Sequence, residues 1–258
     1  MVSETVTAQE QMACAASHEL RDGDVVFVGI GLPNLACNLA RATHAPNLVL
    51  IYESGAVGAV PERLPVSIGD PALVTDSLAV ASMAEVFQNY LQGGRIQVGF
   101  LGGAQIDRFG NINSTVIGSY AKPKVRLPGS GGACEIAIHA ERVLVVAPLS
   151  PRSFPAQVDF ITSPGQANKY GTRASLQLPG KGPVRVVTDV GVLEPSAHDG
   201  ELELASVYAG VKPEDVKAKV GWPLRVRADV QIVQTPSEEE LRLLREVLDP
   251  DHRYLAKQ

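Results

Sequence analysis

The stretch Asp22-Gly-Asp-Val-Val-Phe-Val-Gly-Ile-Gly-Leu-Pro33 decides the architecture of the chain, together with the apolar run Leu48-Val-Leu-Ile-Tyr52 that follows it. Residues 25–28 are short and apolar throughout, which is typical of a strand buried on both faces. After the turn at Gly29-Ile-Gly31, apolar residues follow helical spacing at Leu35, Ala36, Leu39 and Ala40. A strand, a helix and a second buried strand in this order predict a βαβ unit and therefore a parallel sheet.

The same alternation continues on both sides of this unit. Residues 96–101, 141–147 and 184–187 are further apolar runs that predict strands, and Met83, Phe87, Tyr90 and Leu91 follow helical spacing up to Gly93-Gly94. We therefore predict an α/β fold with an open, largely parallel sheet flanked by helices.

Capping boxes mark helix starts near both ends of the chain. Thr7 with Glu10 opens a predicted helix through Met12, Ala16 and Leu20 that stops at Asp22-Gly23. Ser237 with Glu240 opens another through Leu241, Leu244 and Val247. With no linker, low-complexity segment or internal repeat between these ends, residues 1–258 are predicted to form a single domain.

Two regions, 110–129 and 150–182, are rich in Gly, Pro and polar residues. They predict long loops or hairpins, and functional residues are often found on such segments.

The composition excludes several classes of protein. The chain has 258 residues, of which 45% are hydrophobic and 20% charged, with a formal net charge of −5, so it is an ordinary globular sequence and not a disordered one. The acidic balance argues against nucleic-acid binding, and no segment approaches the roughly 18 consecutive apolar residues of a membrane span. One basic cluster, Lys122, Lys124 and Arg126, is either a solvated loop or a contact for a small anionic ligand.

Two features predict a cytoplasmic location. Residues 1–20 contain no Lys or Arg, which fits neither a secretory signal nor a mitochondrial presequence. Cys14, Cys37 and Cys134 are odd in number and have no metal-ligand spacing, so we expect buried small hydrophobes in a reducing compartment.

Three motifs are candidates for chemistry. Glu53-Ser54-Gly55 follows a predicted strand, and ligands of open α/β sheets gather at such strand ends, although Glu53 could equally cap the following turn. Residues 102–107, Gly-Gly-Ala-Gln-Ile-Asp, open from another strand end. Pro128-Gly-Ser-Gly-Gly-Ala-Cys134 precedes a predicted helix, where backbone N–H groups can face an anion or oxyanion.

Other familiar motifs do not occur. The Gly-rich segments match neither a P-loop nor the dinucleotide fingerprint, which disfavours ATP, NAD and FAD binding. The five histidines lack metal-ligand spacing, and Ser54 is not in a Gly-x-Ser-x-Gly nucleophile elbow.

Taken in order, these motifs resemble the B (β) subunit of class I CoA-transferases, most closely the glutaconate CoA-transferase type, and the resemblance covers nearly the whole chain. It rests on the strand ending in Glu53-Ser-Gly, on Phe100-Leu-Gly-Gly-Ala-Gln-Ile-Asp107, on Arg108-Phe-Gly-Asn-Ile-Asn-Ser-Thr115, on Gly129-Ser-Gly-Gly-Ala133, and on the segments 22–33, 159–165 and 187–191. It implies the fold group shared by CoA-transferases and sugar-phosphate isomerases.

The resemblance also implies a mechanism. In the family, a β-subunit glutamate, which matches Glu53, attacks an acyl-CoA and forms an acyl anhydride and then a glutamyl-CoA thioester, in ping-pong catalysis. Gly131, Gly132 and Ala133 are the candidate oxyanion hole. Candidate contacts for substrate or CoA are Ser54, Gly55, Gly103, Gln105 and Lys124, with Gln105 either donating to the substrate or orienting Glu53.

The resemblance implies coenzyme A as co-substrate, no metal and no tightly bound cofactor. It also implies a CoA-transferase α subunit as partner, in an α2β2 or α4β4 assembly. The acid pair stays open, with dicarboxylates, 3-oxoacids and steroid-ring fragments as candidates. Alternative functions are part of a CoA-thioester hydrolase or decarboxylase, a sugar-phosphate isomerase, and a non-catalytic chain that completes a site on its partner.

Overall fold

The computed structural model describes residues 6–255, so residues 1–5 and 256–258 of the predicted domain lie outside the described residues. Its helices are α1 Ala8–Ser17, α2 Leu32–Ala42, α3 Met83–Glu85, α4 Ala133–His139, α5 Pro213–Lys217 and α6 Glu238–Arg242. Two π-helical segments, Val86–Leu91 and Leu243–Leu248, continue α3 and α6, and a 3₁₀ turn covers Pro71–Val74.

The strands, numbered in chain order, are β1 Val25–Phe27, β2 Val49–Ile51, β3 Ala56–Val57, β4 Ala79–Val80, β5 Val98–Leu101, β6 Gln105–Ile106, β7 Ile112–Asn113, β8 Val116–Gly118, β9 Pro123–Arg126, β10 Arg142–Val146, β11 Ala167–Asn168, β12 Gly171–Thr172, β13 Pro183–Val187, β14 Gly191–Pro195, β15 Leu202–Val207 and β16 Arg225–Ile232.

A ten-stranded sheet in the order β16-β15-β14-β13-β10-β5-β1-β2-β3-β4 forms the centre of the molecule. The five strands from β13 to β2 are parallel to one another, as the βαβ pattern predicts. Antiparallel pairs extend this parallel centre on both sides: β3 and β4 on one edge, and β14 and β15 on the other, where β16 adds a parallel edge strand. The predicted open, largely parallel sheet is confirmed, and its antiparallel margins are an addition.

Helices cover both faces of this sheet. On one face, α1 and α2 contribute Met12, Ala16, Ala36 and Ala40 to a buried cluster with Leu50 and Tyr52. On the other face, the segment Val86–Leu91 and α4 contribute Val86, Leu91, Ile136 and Ala137 to a cluster with Ile51 and Phe27. Leu50 and Ile51 lie in different clusters because successive side chains of a strand point to opposite faces.

The predicted capping boxes are confirmed at Thr7 and Ser237, but the end of the first helix differs from the prediction. The helix α1 ends at Ser17, before Leu20, because the chain turns there and the Leu20 N–H donates to the Ser17 carbonyl at 3.0 Å. Leu20 is still buried, since the turn returns it to the same core. Val247, at the other end, lies as predicted in the helical segment that Ser237 and Glu240 open, and its side chain is exposed.

The cysteine prediction is confirmed for two of three residues. Cys14 and Cys37 are buried free thiols, and burial raises the pKa of each. Cys134 is only partly buried, because it lies in the exposed first turn of α4. Within the described residues, no helix is long and apolar enough to cross a membrane.

The Gly- and Pro-rich regions form short antiparallel ribbons, as predicted. β8 pairs with β9, and β11 pairs with β12, while β7 pairs with β6. The ribbon of β8 and β9 leads directly into the Gly-rich loop that precedes α4.

Candidate active site

Glu53 lies just beyond the carboxyl end of the parallel strand β2. Tyr52, the residue before it, is fully buried on the side of α2, where its hydroxyl accepts a hydrogen bond of 2.7 Å from the Asn34 side-chain amide. Ile51 points to the opposite face, toward Phe27 and Phe87. The alternation along the strand therefore sends the Glu53 side chain to the face that carries Phe87 and α4.

A tight turn fixes Glu53 in this place. The Gly55 N–H donates to the Tyr52 carbonyl at 2.9 Å, and the Ala81 N–H donates to the Gly55 carbonyl at 2.9 Å. Gly55 has φ +111°, and a Cβ there would lie 1.9 Å from the Ala81 carbonyl oxygen, so only glycine fits. Gly55 is therefore required by the turn, while Ser54 is exposed and open to a substrate.

The structure brings Glu53 and the Gly-rich loop together, although 79 positions separate Glu53 from Gly132 (132 − 53 = 79). A Cβ placed on Gly132 would lie 3.5 Å from Glu53 Oε2. It would also lie 2.3 Å from Cζ of Phe87, so a side chain at this position meets the ring before anything else. Two of the three predicted motifs thus face each other across one gap.

Two of the three predicted oxyanion donors have free N–H groups. Within residues 6–255, the N–H groups of Gly131 and Gly132 have no acceptor. The Ala133 N–H donates to the Ser130 carbonyl at 2.8 Å and closes the turn that starts α4. The Ala133 N–H is therefore already satisfied inside the loop, which leaves Gly131 and Gly132 as the candidate donors with free N–H groups.

The Glu53 carboxylate is equally free of partners in the described part of the chain, where it makes no hydrogen bond or ion pair. Its side chain is half-buried, and its Oε2 lies beside Gly132 of the Gly-rich loop. A carboxylate held in this way, beside two unsatisfied N–H donors, can attack a carbonyl carbon whose oxygen the donors then stabilise.

Gln105 does not orient Glu53. Its side-chain oxygen accepts hydrogen bonds from Asn113 Nδ2 at 2.7 Å and from the Asp159 N–H at 3.1 Å, and its amide donates to Asp159 Oδ2 at 3.2 Å. Both polar ends of the amide are satisfied by neighbouring segments, so Gln105 acts as a structural link. At this strand end the geometry favours a structural turn over a ligand contact.

Gly103 is also explained by packing. A Cβ at this position would lie 2.3 Å from Cγ2 of Ile112, a buried side chain of β7. The close approach of the two chain segments requires a glycine there, whether or not a ligand binds nearby.

Lys124 lies on the exposed strand β9. Its neighbour Arg126 is stacked over the Tyr120 ring, with its guanidinium carbon 4.5 Å from the ring centroid, and Tyr120 stacks in turn on Phe160 at 5.4 Å. The Gly129 N–H donates to the Ser114 carbonyl at 2.9 Å, which fixes the base of this ribbon beside the Gly-rich loop.

If Lys124 contacts a phosphate of coenzyme A, Lys124→Gln should raise the KM for acyl-CoA about fivefold with kcat unchanged, as expected for the loss of one partly solvated charge contact. The effect should shrink as salt is added. Lys169→Gln makes the same charge change on another ribbon and is the control. An equal KM in the two variants would contradict this role.

Sequence reasoning missed two residues that shape the site. The spacing of Phe87 predicts only its place in a helix, yet its ring would be the first side chain that a Cβ on Gly132 meets. Arg173 lies in the loop region 150–182 and donates to the Ala137 carbonyl at 3.0 Å and the Gly180 carbonyl at 2.8 Å, which anchors the last turn of α4. Burial lowers the pKa of Arg173 to about 10, so it stays charged at neutral pH. No local pattern in the sequence marks either contact.

Fold and site together define a class: an α/β protein whose candidate site pairs a strand-end carboxylate with a Gly-rich loop. Residues 9–219 match the family model "Coenzyme A transferase". The chain therefore belongs to the coenzyme A transferase family, and its relatives place it among the class I β-type chains, which confirms the resemblance seen in the sequence.

Individual relatives agree with this assignment. The chain is 51% identical to the β-type chain of 3-oxoadipate CoA-transferase from Pseudomonas knackmussii, over 93% of this chain and 92% of that protein. It is 35% identical to the β-type chain of glutaconate CoA-transferase from Acidaminococcus fermentans, over 96% and 95% of the two chains. The crystal structure of glutaconate coenzyme A-transferase from the same organism superimposes with a TM-score of 0.90 at 33% identity, over 98% of this chain and 99% of that one.

Proposed function

We propose that this chain uses Glu53 as the covalent nucleophile of a CoA-transferase that moves CoA between an acyl-CoA and a dicarboxylic acid. The observation that carries the proposal is the position of the Glu53 carboxylate, which is unpaired among the described residues and lies next to Gly132. A carboxylate that served only as a turn cap would instead accept hydrogen bonds from the backbone, as Asp70 does from the N–H groups of Val66 and Ala72.

In the first half-reaction, a Glu53 carboxylate oxygen forms a bond to the thioester carbonyl carbon. The carbon–sulfur bond breaks, and its electron pair leaves with sulfur as the CoA thiolate. The product is an anhydride between the acyl group and Glu53. The N–H groups of Gly131 and Gly132 donate to the carbonyl oxygen while it carries negative charge.

The CoA thiolate then attacks the Glu53 carbonyl carbon of the anhydride and releases the first carboxylic acid as its carboxylate. Glu53 is left as a thioester with CoA. The acceptor carboxylate reverses both steps, so the energy of the thioester is kept throughout and neither water nor a proton is consumed.

The acid acceptor is proposed to be 3-oxoadipate or a similar dicarboxylate. This is supported by the 51% identity to the 3-oxoadipate relative and by the second relative, which is named for glutaconate, another dicarboxylate. The test is a panel of acceptor acids, with one acyl-CoA donor, assayed on the chain co-expressed with an A-type subunit. Formation of 3-oxoadipyl-CoA faster than acetyl-CoA or acetoacetyl-CoA supports the proposal, and the opposite ranking contradicts it.

An α subunit is the proposed partner, in an α2β2 or α4β4 assembly in the cytoplasm. Both relatives are named as one of two kinds of subunit, and the segment after Glu53 carries an exposed apolar surface that suits a protein partner. The exposed hydrophobic residues of this segment are Val60, Val66, Ile68, Val74, Leu78, Val80 and Met83. The free state of all three cysteines supports the reducing compartment.

A charge on this surface should block assembly. Leu78 has 76% of its surface exposed, so Leu78→Glu should leave the fold of the chain intact and weaken the binding of its α partner about tenfold or more, because a desolvated charge would face an apolar surface. Ile232→Glu, at a 71% exposed residue of the opposite edge strand, is the matched control. Size-exclusion chromatography of the co-expressed pair measures both, and an intact Leu78→Glu complex would argue that the partner binds elsewhere.

The alternatives differ in their support. The family match replaces the sugar-phosphate isomerase hypothesis, which rested only on the shared fold group. Hydrolysis results when water, and not the CoA thiolate, attacks the Glu53 anhydride. The residues that surround Glu53 therefore decide between hydrolysis and transfer. A non-catalytic chain would tolerate the loss of Glu53, so the exchange rate of Glu53→Gln separates that case from the proposed one.

A further inference from the structure

The ring of Phe87 closes one side of the gap between Glu53 and the Gly-rich loop. From the position that a Cβ on Gly132 would occupy, Cζ and Cε1 of Phe87 lie at 2.3 and 2.7 Å, and Glu53 Oε2 lies at 3.5 Å. The edge of the ring, the carboxylate and the loop backbone therefore meet at one point. Phe87 is only partly buried, so its ring lies between the protein core and the surface beside this point.

The surroundings hold the ring in this place. Behind it lies Phe27, with the two ring centroids 5.5 Å apart. Phe87 belongs to the π-helical segment Val86–Leu91, and such segments often occur at functional sites, where the extra residue per turn redirects side chains.

Contacts at both ends fix the helix that carries Phe87. A capping box between Ser82 and Glu85 sets its start, with the Glu85 N–H donating to Ser82 Oγ at 3.2 Å and the Ser82 N–H donating to Glu85 Oε2 at 2.7 Å. At the other end, the Gln92 side-chain amide donates to Glu135 Oε2 of α4 at 3.1 Å. The ring and the Gly-rich loop are thus tied to each other through α4.

We propose that Phe87 is a specificity-determining positioning residue that excludes water from acylated Glu53 and so directs the reaction to transfer instead of hydrolysis. The inference rests on the proposed function of Glu53, and it adds which residue makes transfer faster than hydrolysis at that site. Phe87 takes part in no bond change.

Hydrolysis of the anhydride explains why a CoA-transferase needs a side chain that keeps water from Glu53. If water reaches the anhydride, its oxygen bonds to the acyl carbon, the bond from that carbon to the Glu53 oxygen breaks, and the electron pair returns to the Glu53 carboxylate. Of the two protons of the water, one passes to the CoA thiolate and one is released, so the products are the carboxylate of the acyl group, CoA as its thiol and unmodified Glu53. An apolar ring offers water no hydrogen bond, so its presence beside the carboxylate disfavours a water molecule there.

The experiment compares Phe87→Ala and Phe87→Leu in the chain co-expressed with its A-type subunit. The readout is the ratio of free CoA released to CoA ester formed on the acceptor acid, which a loss of stability alone does not change. Phe87→Ala should raise this ratio about tenfold or more, which corresponds to a modest change in the activation free energy of hydrolysis relative to that of transfer. Phe87→Leu, which keeps most of the apolar volume, should restore most of the transfer.

Phe100→Leu is the control for the loss of a buried ring, because Phe100 packs in the cluster on the other face of the sheet. In H₂¹⁸O, the hydrolysis caused by Phe87→Ala should place ¹⁸O in the released acid. An unchanged ratio in Phe87→Ala overturns the inference, as does a loss of both transfer and hydrolysis in both Phe87 variants.

A separate measurement distinguishes failure of the proposed function from failure of this inference. The wild-type complex is incubated with acyl-CoA, and the modified peptide is mapped by mass spectrometry. A modification on Glu53 with an unchanged ratio in Phe87→Ala rejects only the role of Phe87. A modification on another residue rejects the proposed function of Glu53 and this inference with it.

Discussion

Glu53→Gln should abolish CoA exchange and leave the assembled complex intact. The amide keeps the size and shape of the side chain but has no anionic oxygen to attack the thioester, and loss of a covalent nucleophile lowers kcat by on the order of a thousandfold or more. The fold should tolerate the change, because the Glu53 carboxylate makes no hydrogen bond or ion pair within residues 6–255. Steady-state exchange assays and the melting temperature of the complex measure the two effects.

Glu53→Asp is the matched variant, since it keeps the charge and withdraws the carboxylate by one methylene. A misplacement of about 1 Å can lower a rate on the order of a hundredfold. It also opens space beside Phe87 and Gly132, so residual turnover should shift toward hydrolysis. Normal exchange in Glu53→Gln would reject Glu53 as nucleophile and would favour a chain that only completes its partner's site.

The central part of the fold could be predicted because its signal is local. Residues 25–28 and 48–52 are each continuous apolar runs, and a strand that is buried on both faces leaves this pattern whatever surrounds it. Thr7 and Ser237 are equally local signals, since a capping box is complete within four residues.

The edges of the sheet could not be predicted in the same way. β16 has the sequence Arg-Val-Arg-Ala-Asp-Val-Gln-Ile and is largely exposed, so no apolar pattern marks it as a strand. Its position depends on pairing with β15 and on ion pairs such as Arg227 with Glu203 at 3.1 Å. Such contacts join distant parts of the chain, and their partners cannot be identified from spacing.

In the candidate site, too, the features with a local signal could be predicted and the contacts between distant segments could not. Glu53 could be predicted from its place at a strand end, and the Gly-rich loop from its composition, because each lies within one short segment. Their approach to each other and to Phe87 is a tertiary contact. The hydrogen bond that satisfies the Ala133 N–H has a local cause: the helix starts at Ala133, and its N–H closes the preceding turn on Ser130.

The role of Gln105 depends on residues from other segments of the chain. A polar amide at a strand end is a reasonable candidate ligand, but Asn113 and Asp159 approach from two other segments and satisfy it. Whether a polar residue beside a cleft is free or structural depends on these neighbours, which the sequence of its own segment does not reveal.

Gly132→Ala should lower kcat on the order of a hundredfold while the complex still assembles, although displacing the packed Phe87 ring also lowers its melting temperature. Gly132 has φ −81°, which alanine adopts without strain, so the effect comes from the added methyl group alone. That methyl group would displace the outer edge of the Phe87 ring and lie 3.5 Å from Glu53 Oε2, in the gap where the thioester must approach the Gly131 and Gly132 N–H groups. Displacing the substrate from an oxyanion donor lowers kcat by a factor of this size.

Gly129→Ala is the control in the same loop, and the two variants should differ in their effect on kcat. Gly129 has φ +102° with open space around its Cβ position, and its N–H already donates to Ser114, so alanine strains the backbone without entering the gap. It should lower the melting temperature of the complex and keep kcat close to that of the wild type. If Gly132→Ala keeps its turnover, the loop is a structural turn, and the donors of the oxyanion hole lie outside it.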